Sequence, residues 1–210
     1  MCVPDVGEKR NKVWQRTVER TWSGPPDEPI QLRYTSSIQF KIKKIAEYRR
    51  RGLLGANEPV LIAMNQGAIL DSDLNDVELP LAFNVLFGIG KTMLLVQIGT
   101  GEAEIMVQPQ PTITNANGSE VSSAIFTEPS SSVVSGLILA RHSTLDLFDN
   151  PGPFLTLAHN PLAQAPLPVD ALPLRGELWV EEGRLVHRGV VSSHGRYSEQ
   201  SQRLPAPVGA

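Results

Sequence analysis

His159-Asn160-Pro161 directly follows the apolar run FLTLA, and Asn65 directly follows VLIAM. The end of a buried strand is where α/β proteins present functional groups on a rigid scaffold. His159 and Asn65 are therefore candidates for hydrolytic chemistry. The ordinary alternative is that Asn and Pro terminate the strands while the imidazole packs over the end.

Asp71-Ser-Asp73-Leu-Asn75 copies the first three ligand positions of a calcium loop. The sixth position is Asp76 where the sharp turn needs Gly, and the twelfth is Ala82 where a bidentate Glu is needed. Asp71, Asp73 and Asp76 then form an acidic loop that could hold a divalent cation only weakly. Gly88-Ile-Gly90-Lys91-Thr92 ends like a phosphate-binding loop. Val85 occupies the position of the required first glycine, and a strand rather than a helix is predicted to follow, so a helix end and turn is the better reading. The four histidines (His142, His159, His187 and His194) show no HExxH or His-x-His spacing, and no GxSxG elbow is present. His142 and Asp146 could pair on a loop. Cys2 is the single cysteine, which rules out an internal disulfide.

Charge is distributed unevenly. Residues 1–55 carry 12 Lys/Arg against 6 Asp/Glu, and residues 56–210 carry 7 against 16. A basic N-terminal region suits an acidic partner such as nucleic acid, although the two parts can also attract one another within one fold. Lys41, Lys43, Lys44, Arg49, Arg50 and Arg51 are the candidate nucleic-acid-binding residues. Aromatics make up 6% of the chain, so a base-stacking platform is not suggested.

These residues need elements to position them. Ile38, Ile42, Ile45 and Ala46 form one helical stripe, Thr35 or Ser36 can cap its start, and Gly52 suits its end. The preceding apolar residues 30–34 read as a strand-like lead. Residues 60–64 read as a buried strand, and residues 79–87 as a short apolar helix ended by Gly88 and Gly90. Strands are expected over 93–98, 104–107, 121–126, 133–141 and 154–158. A terminal hairpin is expected over 177–180 and 184–187. Residues 160–173 carry Pro161, Pro166, Pro168 and Pro173 and predict an extended run. Residues 1–29 read as an irregular lead-in, with a helical turn near residues 14–20 and Trp14 and Trp22 as anchors. Residues 30–190 read as one domain, and 191–210 as a flexible tail.

The predicted class is α/β: a mixed sheet with a basic amphipathic helix packed on it and a β-rich C-terminal half. No secretory h-region and no long apolar run is present, so a cytoplasmic location is expected and no membrane association.

Several segments in order resemble a family of bacterial proteins: LRYTSSIQFKIKKIAEY, GLLGANEPVLIAMNQGAI, LPLAFNVLFGIG, VSGLILAR, and the His159-Asn160-Pro161 triplet with PLAQAPLP. The resemblance covers about residues 30–168. Longer members resemble the restriction-endonuclease-like, PD-(D/E)xK-type fold, whose acidic strands would precede a segment similar to residues 2–7. The resemblance thus implies a shortened nuclease-like domain onto which no metal-binding acid can be carried. Pro4-Asp5 with Gln39-Phe40-Lys41 is a chance match, because the second half falls inside the predicted helix.

Three functions follow as expectations. The first is nucleic-acid binding through the six basic residues, without a cofactor. The second is a hydrolase with a site near Asn65, the 71–76 loop and His159, which would require a cation such as Mg²⁺. There, His159→Ala is expected to lower turnover without lowering stability. The third is a protein-interaction module docking through PLAQAPLP.

Overall fold

The computed structural model describes residues 27–65, 80–96, 103–140, 155–174 and 176–188. The turn near residues 14–20, both anchoring tryptophans, the 71–76 loop, His142, Asp146, His194 and the tail lie outside the described residues.

Helix α1 spans Asp27–Arg50, so the residues expected to form a strand-like lead are helical. Its start is eight residues earlier than Thr35, the expected cap. Glu28 brings negative charge to the first turn, which complements the helix dipole. Pro29 fits there because the first turn needs no donor from it. Thr35 sits mid-helix and donates its hydroxyl to the Gln31 carbonyl at 2.9 Å. The buried stripe runs through Gln31, Tyr34, Thr35, Ile38 and Ile42. Ala46 faces solvent instead. The C-terminus closes as expected at Gly52 (φ 71°), with Gly52 N–H donating to Arg49 O and Leu53 N–H to Tyr48 O, each at 3.0 Å. This is the paired-bond arrangement that a left-handed residue just past a helix permits.

Strand β1 (Leu61–Asn65) follows. Helix α2 (Leu81–Phe87) comes next and is almost entirely buried. Gly88 ends it at φ 67°, and a Cβ there would lie 2.9 Å from the Ala124 Cβ. Strand β2 (Ile89–Val96) leaves immediately and pairs antiparallel with β3 (Ala103–Pro109). The Gly88–Thr92 stretch is therefore a helix end running into a strand, not a phosphate loop.

Strands β4 (Thr112–Thr114) and β5 (Glu120–Ser122) form a second small ladder. Its turn is knitted by the Asn115 carboxamide oxygen, which accepts from Asn117 N–H and Ser119 N–H at 3.1 and 3.0 Å. The strand expected to continue to Phe126 stops at Ser122. Two 3₁₀ turns follow, Ile125–Thr127 and Pro129–Val133. The hydroxyls of Thr127 and Ser131 donate back to carbonyls three residues earlier, which favours tight turns over a ladder.

The principal sheet has five strands in the order β1, β6 (Gly136–Ala140), β7 (Leu155–His159), β8 (Gly176–Glu181) and β9 (Arg184–Arg188). β1 is parallel to β6 and β7 to β8, while β6–β7 and β8–β9 are antiparallel. The class is α/β with a mixed sheet, as its helix and strand patterns predict. Alternation along each strand separates two faces. Ile62, Met64, Leu137, Leu139, Ala158 and Leu178 join Ile38 and Ile42 of α1, with α2, in one core. Leu157 and Glu177 point to the other face, as the β7–β8 register requires. Among the described residues no helix is long and apolar enough to cross a membrane.

Candidate functional site

Basic residues on α1 divide by the helical period into those spent on the fold and those left on the surface. Arg49 belongs to the fold. Its guanidinium donates to the carbonyls of Gly55, Ala56 (2.7 Å), Glu58 (2.8 Å) and, across the chain, Val133 (3.3 Å). It closes the loop between α1 and β1 onto the second 3₁₀ turn. The donors that the sequence reading assigned to phosphate thus serve carbonyls of the chain itself.

Arg51 pairs with Glu47 one turn earlier. Lys43, Lys44 and Arg50 are exposed, and Lys41 is half-buried. Lys44 Nζ sits 5.6 Å from the centre of the Tyr48 ring, within cation–π range. Phe40 is 67% exposed on the same outward face, one turn before Lys43 and Lys44. The low aromatic content concealed this ring. Burial of the stripe around Ile38 and Ile42 is what turns Phe40 outward.

The two strand-end candidates are not brought together. Asn65 pairs with Ala140, which pairs with Leu155. Leu61 pairs with Gly136, which pairs with His159. Asn65 and His159 thus stand at opposite ends of the sheet, about 13 Å apart along the strands at 3.3 Å per residue. A single site using both side chains is not formed by these strands. The acidic loop carrying Asp71, Asp73 and Asp76 lies outside the described residues. Among the described residues no group of three or more His, Cys, Asp or Glu is placed to hold a metal ion.

His159 itself is buried. Its Nε2 lies 3.8 Å from Glu177 Oε1, beyond hydrogen-bond reach, and finds no hydrogen-bond partner among the described residues. Glu177 is 1% exposed. Its carboxylate accepts from Arg188 Nη2 at 2.9 Å and from Asp170 N–H at 3.1 and 3.3 Å. Arg188 also forms a forked pair with the Asp170 carboxylate. That hydrogen bonding, reinforced by the guanidinium charge, holds the Asp170 carboxyl below its usual range. Sequence reading missed Glu177, Arg188 and Asp170. The only local signal is an acid in the otherwise apolar strand GELWV.

Asn160 is a structural pin. Its side-chain amide donates to the carbonyls of Ser131 (2.9 Å) and Val134 (2.8 Å), and its oxygen accepts from Leu162 N–H at 2.9 Å. Ser135 Oγ takes Val60 N–H at 2.9 Å and donates to Ala165 O at 2.6 Å. Gln164 N–H donates to Ser132 O at 2.8 Å. The proline-rich stretch is therefore a strap of turns and bends tied to Ser132, Ser135 and Glu177 rather than an extended run. Within PLAQAPLP, Gln164 N–H and Ala165 O are bonded to the chain itself.

No family model, curated protein or solved structure matches this chain.

Proposed function

We propose that this chain binds nucleic acid through the outward face of α1. The observation that carries the reading is the exposure of Lys43, Lys44 and Arg50 along one helix. Glu47 is the one acid of the helix among them, and it is already paired with Arg51. Each exposed cation can displace a counterion from a phosphate, and the gain in free energy is entropic. The resemblance to nuclease-like proteins leads to the same ligand class, with binding retained and no catalytic acid assigned.

Arg49 takes no part in this reading, and Lys41, half-buried, takes a lesser one. Support comes from charge placement and from the arrangement of the helix. The ligand would lie across the helix rather than in a cleft.

The test is a fluorescence-anisotropy titration of labelled DNA and RNA at two salt concentrations, with each sample run on a gel afterwards. The expected result is binding that weakens steeply with salt and is lost when Lys43, Lys44 and Arg50 are all changed to Ala. Absent or salt-insensitive binding would overturn the reading. Mg²⁺-dependent cleavage would replace it with the hydrolase, with the search directed to His159 and the 71–76 loop.

A further inference from the structure

We infer that the α1 face takes single-stranded nucleic acid, with a nucleobase stacking on Phe40 while Lys43 and Lys44 hold the neighbouring phosphates. The inference rests on the nucleic-acid reading above and narrows it to one strand state.

Phe40 is the most exposed large apolar side chain among the described residues. A lone exposed phenylalanine is ordinary on a protein surface. This one differs in its flanks. Helical side chains lean toward the N-terminus, so Phe40 leans over Ser36, which is small and exposed. Lys43 and Lys44 follow by one turn, about 5 Å along the axis. Lys44 directs its ammonium over the Tyr48 ring rather than back across Phe40. Among the described residues the phenyl ring stays largely open, 67% exposed, beside two cations.

A duplex keeps its base faces inside the stack and gains nothing from such a ring beyond its phosphate contacts. A single strand offers a free π-face and a phosphate within reach of the same turn. Base–aromatic stacking with backbone-tracking cations is how single strands are held without sequence reading. An acidic peptide would satisfy the lysines and leave the ring without a planar partner.

The experiment compares an oligothymidylate with a duplex of equal length at low salt, using the wild-type chain, Phe40→Ala, Phe40→Trp and the Lys43→Ala/Lys44→Ala double variant. Phe40 is 67% exposed and lies outside the buried core among the described residues, and circular dichroism of each variant confirms that the fold is kept. The expected result is an approximately tenfold loss of single-strand affinity in Phe40→Ala, the size of one stacked base, with duplex affinity unchanged. Phe40→Trp restores binding, and its indole fluorescence is quenched by the oligonucleotide. The double lysine variant weakens both ligands. Equal losses on both ligands in Phe40→Ala, or no loss on either, would overturn the inference and leave the nucleic-acid reading standing. Failure of the wild-type chain to bind either ligand would overturn both.

Discussion

Arg188 Nη2 lies 2.9 Å from Glu177 Oε2, joining a side chain that is 46% exposed to one that is 1% exposed. The carboxylate comes from strand β8 and its partner from β9, while Asp170 of the strap supplies a backbone N–H to the same group. The network ties the strap to the terminal hairpin, and it makes Glu177 dependent on a residue that solvent can reach.

Removing that residue strands the charge. Arg188→Ala leaves the buried carboxylate with the Asp170 N–H as its donor among the described residues and should cost about 3 kcal/mol of stability, as breaking a buried pair from one side does. Changing Glu177 and Arg188 together to Leu should cost much less, since no buried charge is then left unpaired and the Asp170 carboxylate, 66% exposed, is met by water. Urea unfolding of the three chains checks this. Equal losses from the single and double variants would refute it.

Arg49 is tested in the same way. Its guanidinium supplies charged hydrogen bonds to four carbonyls. Arg49→Ala should destabilise by about 2–3 kcal/mol. Arg49→Lys should recover little, because an ammonium lacks the planar fork. Thermal unfolding reports the loss, and a substitution without effect would return Arg49 to the surface set.

Asn160→Ala removes two donors to buried carbonyls and one acceptor, and should cost about 2 kcal/mol. His159→Ala empties a buried position and should also lower stability, contrary to the expectation of a stability-neutral change. Urea midpoints for both variants decide the matter.

Burial depresses the His187 imidazole below its ordinary value. As pH falls, the unfolded chain therefore takes up this proton before the folded one. Stability from this residue is intact above about pH 6.5, the ordinary imidazole value. It declines below that until the folded-state value is reached. His187→Gln should flatten this part of the profile. Asp170, held low by Arg188, contributes fully above about pH 4. Its share is lost as pH falls through the folded-state value. Unfolding midpoints measured from pH 8 to pH 3 separate the two windows. An unchanged profile in the His187 variant would reject the first.

For nucleic acid, the plot of log affinity against log salt should become shallower by about one for each of Lys43, Lys44 and Arg50 neutralised. Titrations at several salt concentrations measure that slope. A slope that does not change would show that phosphates do not meet these side chains.

Local chemistry alone determined much of this protein. Gly52 closes α1 because its positive φ is cheap only without a Cβ. Asn115 and Gly118 form the β4–β5 turn, and Gly88 ends α2 for the same kind of reason. The alternating and continuous apolar runs gave the sheet strands to within a few residues. Helix α1 begins inside the expected irregular lead-in, because Pro29 in a first turn obstructs nothing. The 3₁₀ turns before β6 were hidden because Ile125 and Phe126 suit strands by side-chain type while serine and threonine hydroxyls hold the backbone tight.

Only the tertiary structure decided how the candidate residues are used. Strand order and direction put Asn65 and His159 at opposite ends of one sheet, a separation that neither strand encodes locally. Glu177, Arg188 and Asp170 meet because β8, β9 and the strap converge, and separations of 7 and 11 across a turn and two strands reveal nothing locally. Arg49 differs from Arg50 by one step of 100°, enough to turn one guanidinium into the loop and leave its neighbour in water. The same rotation exposes Phe40. Charge and residue type are properties of the sequence, whereas burial follows from which face of each element the core consumes.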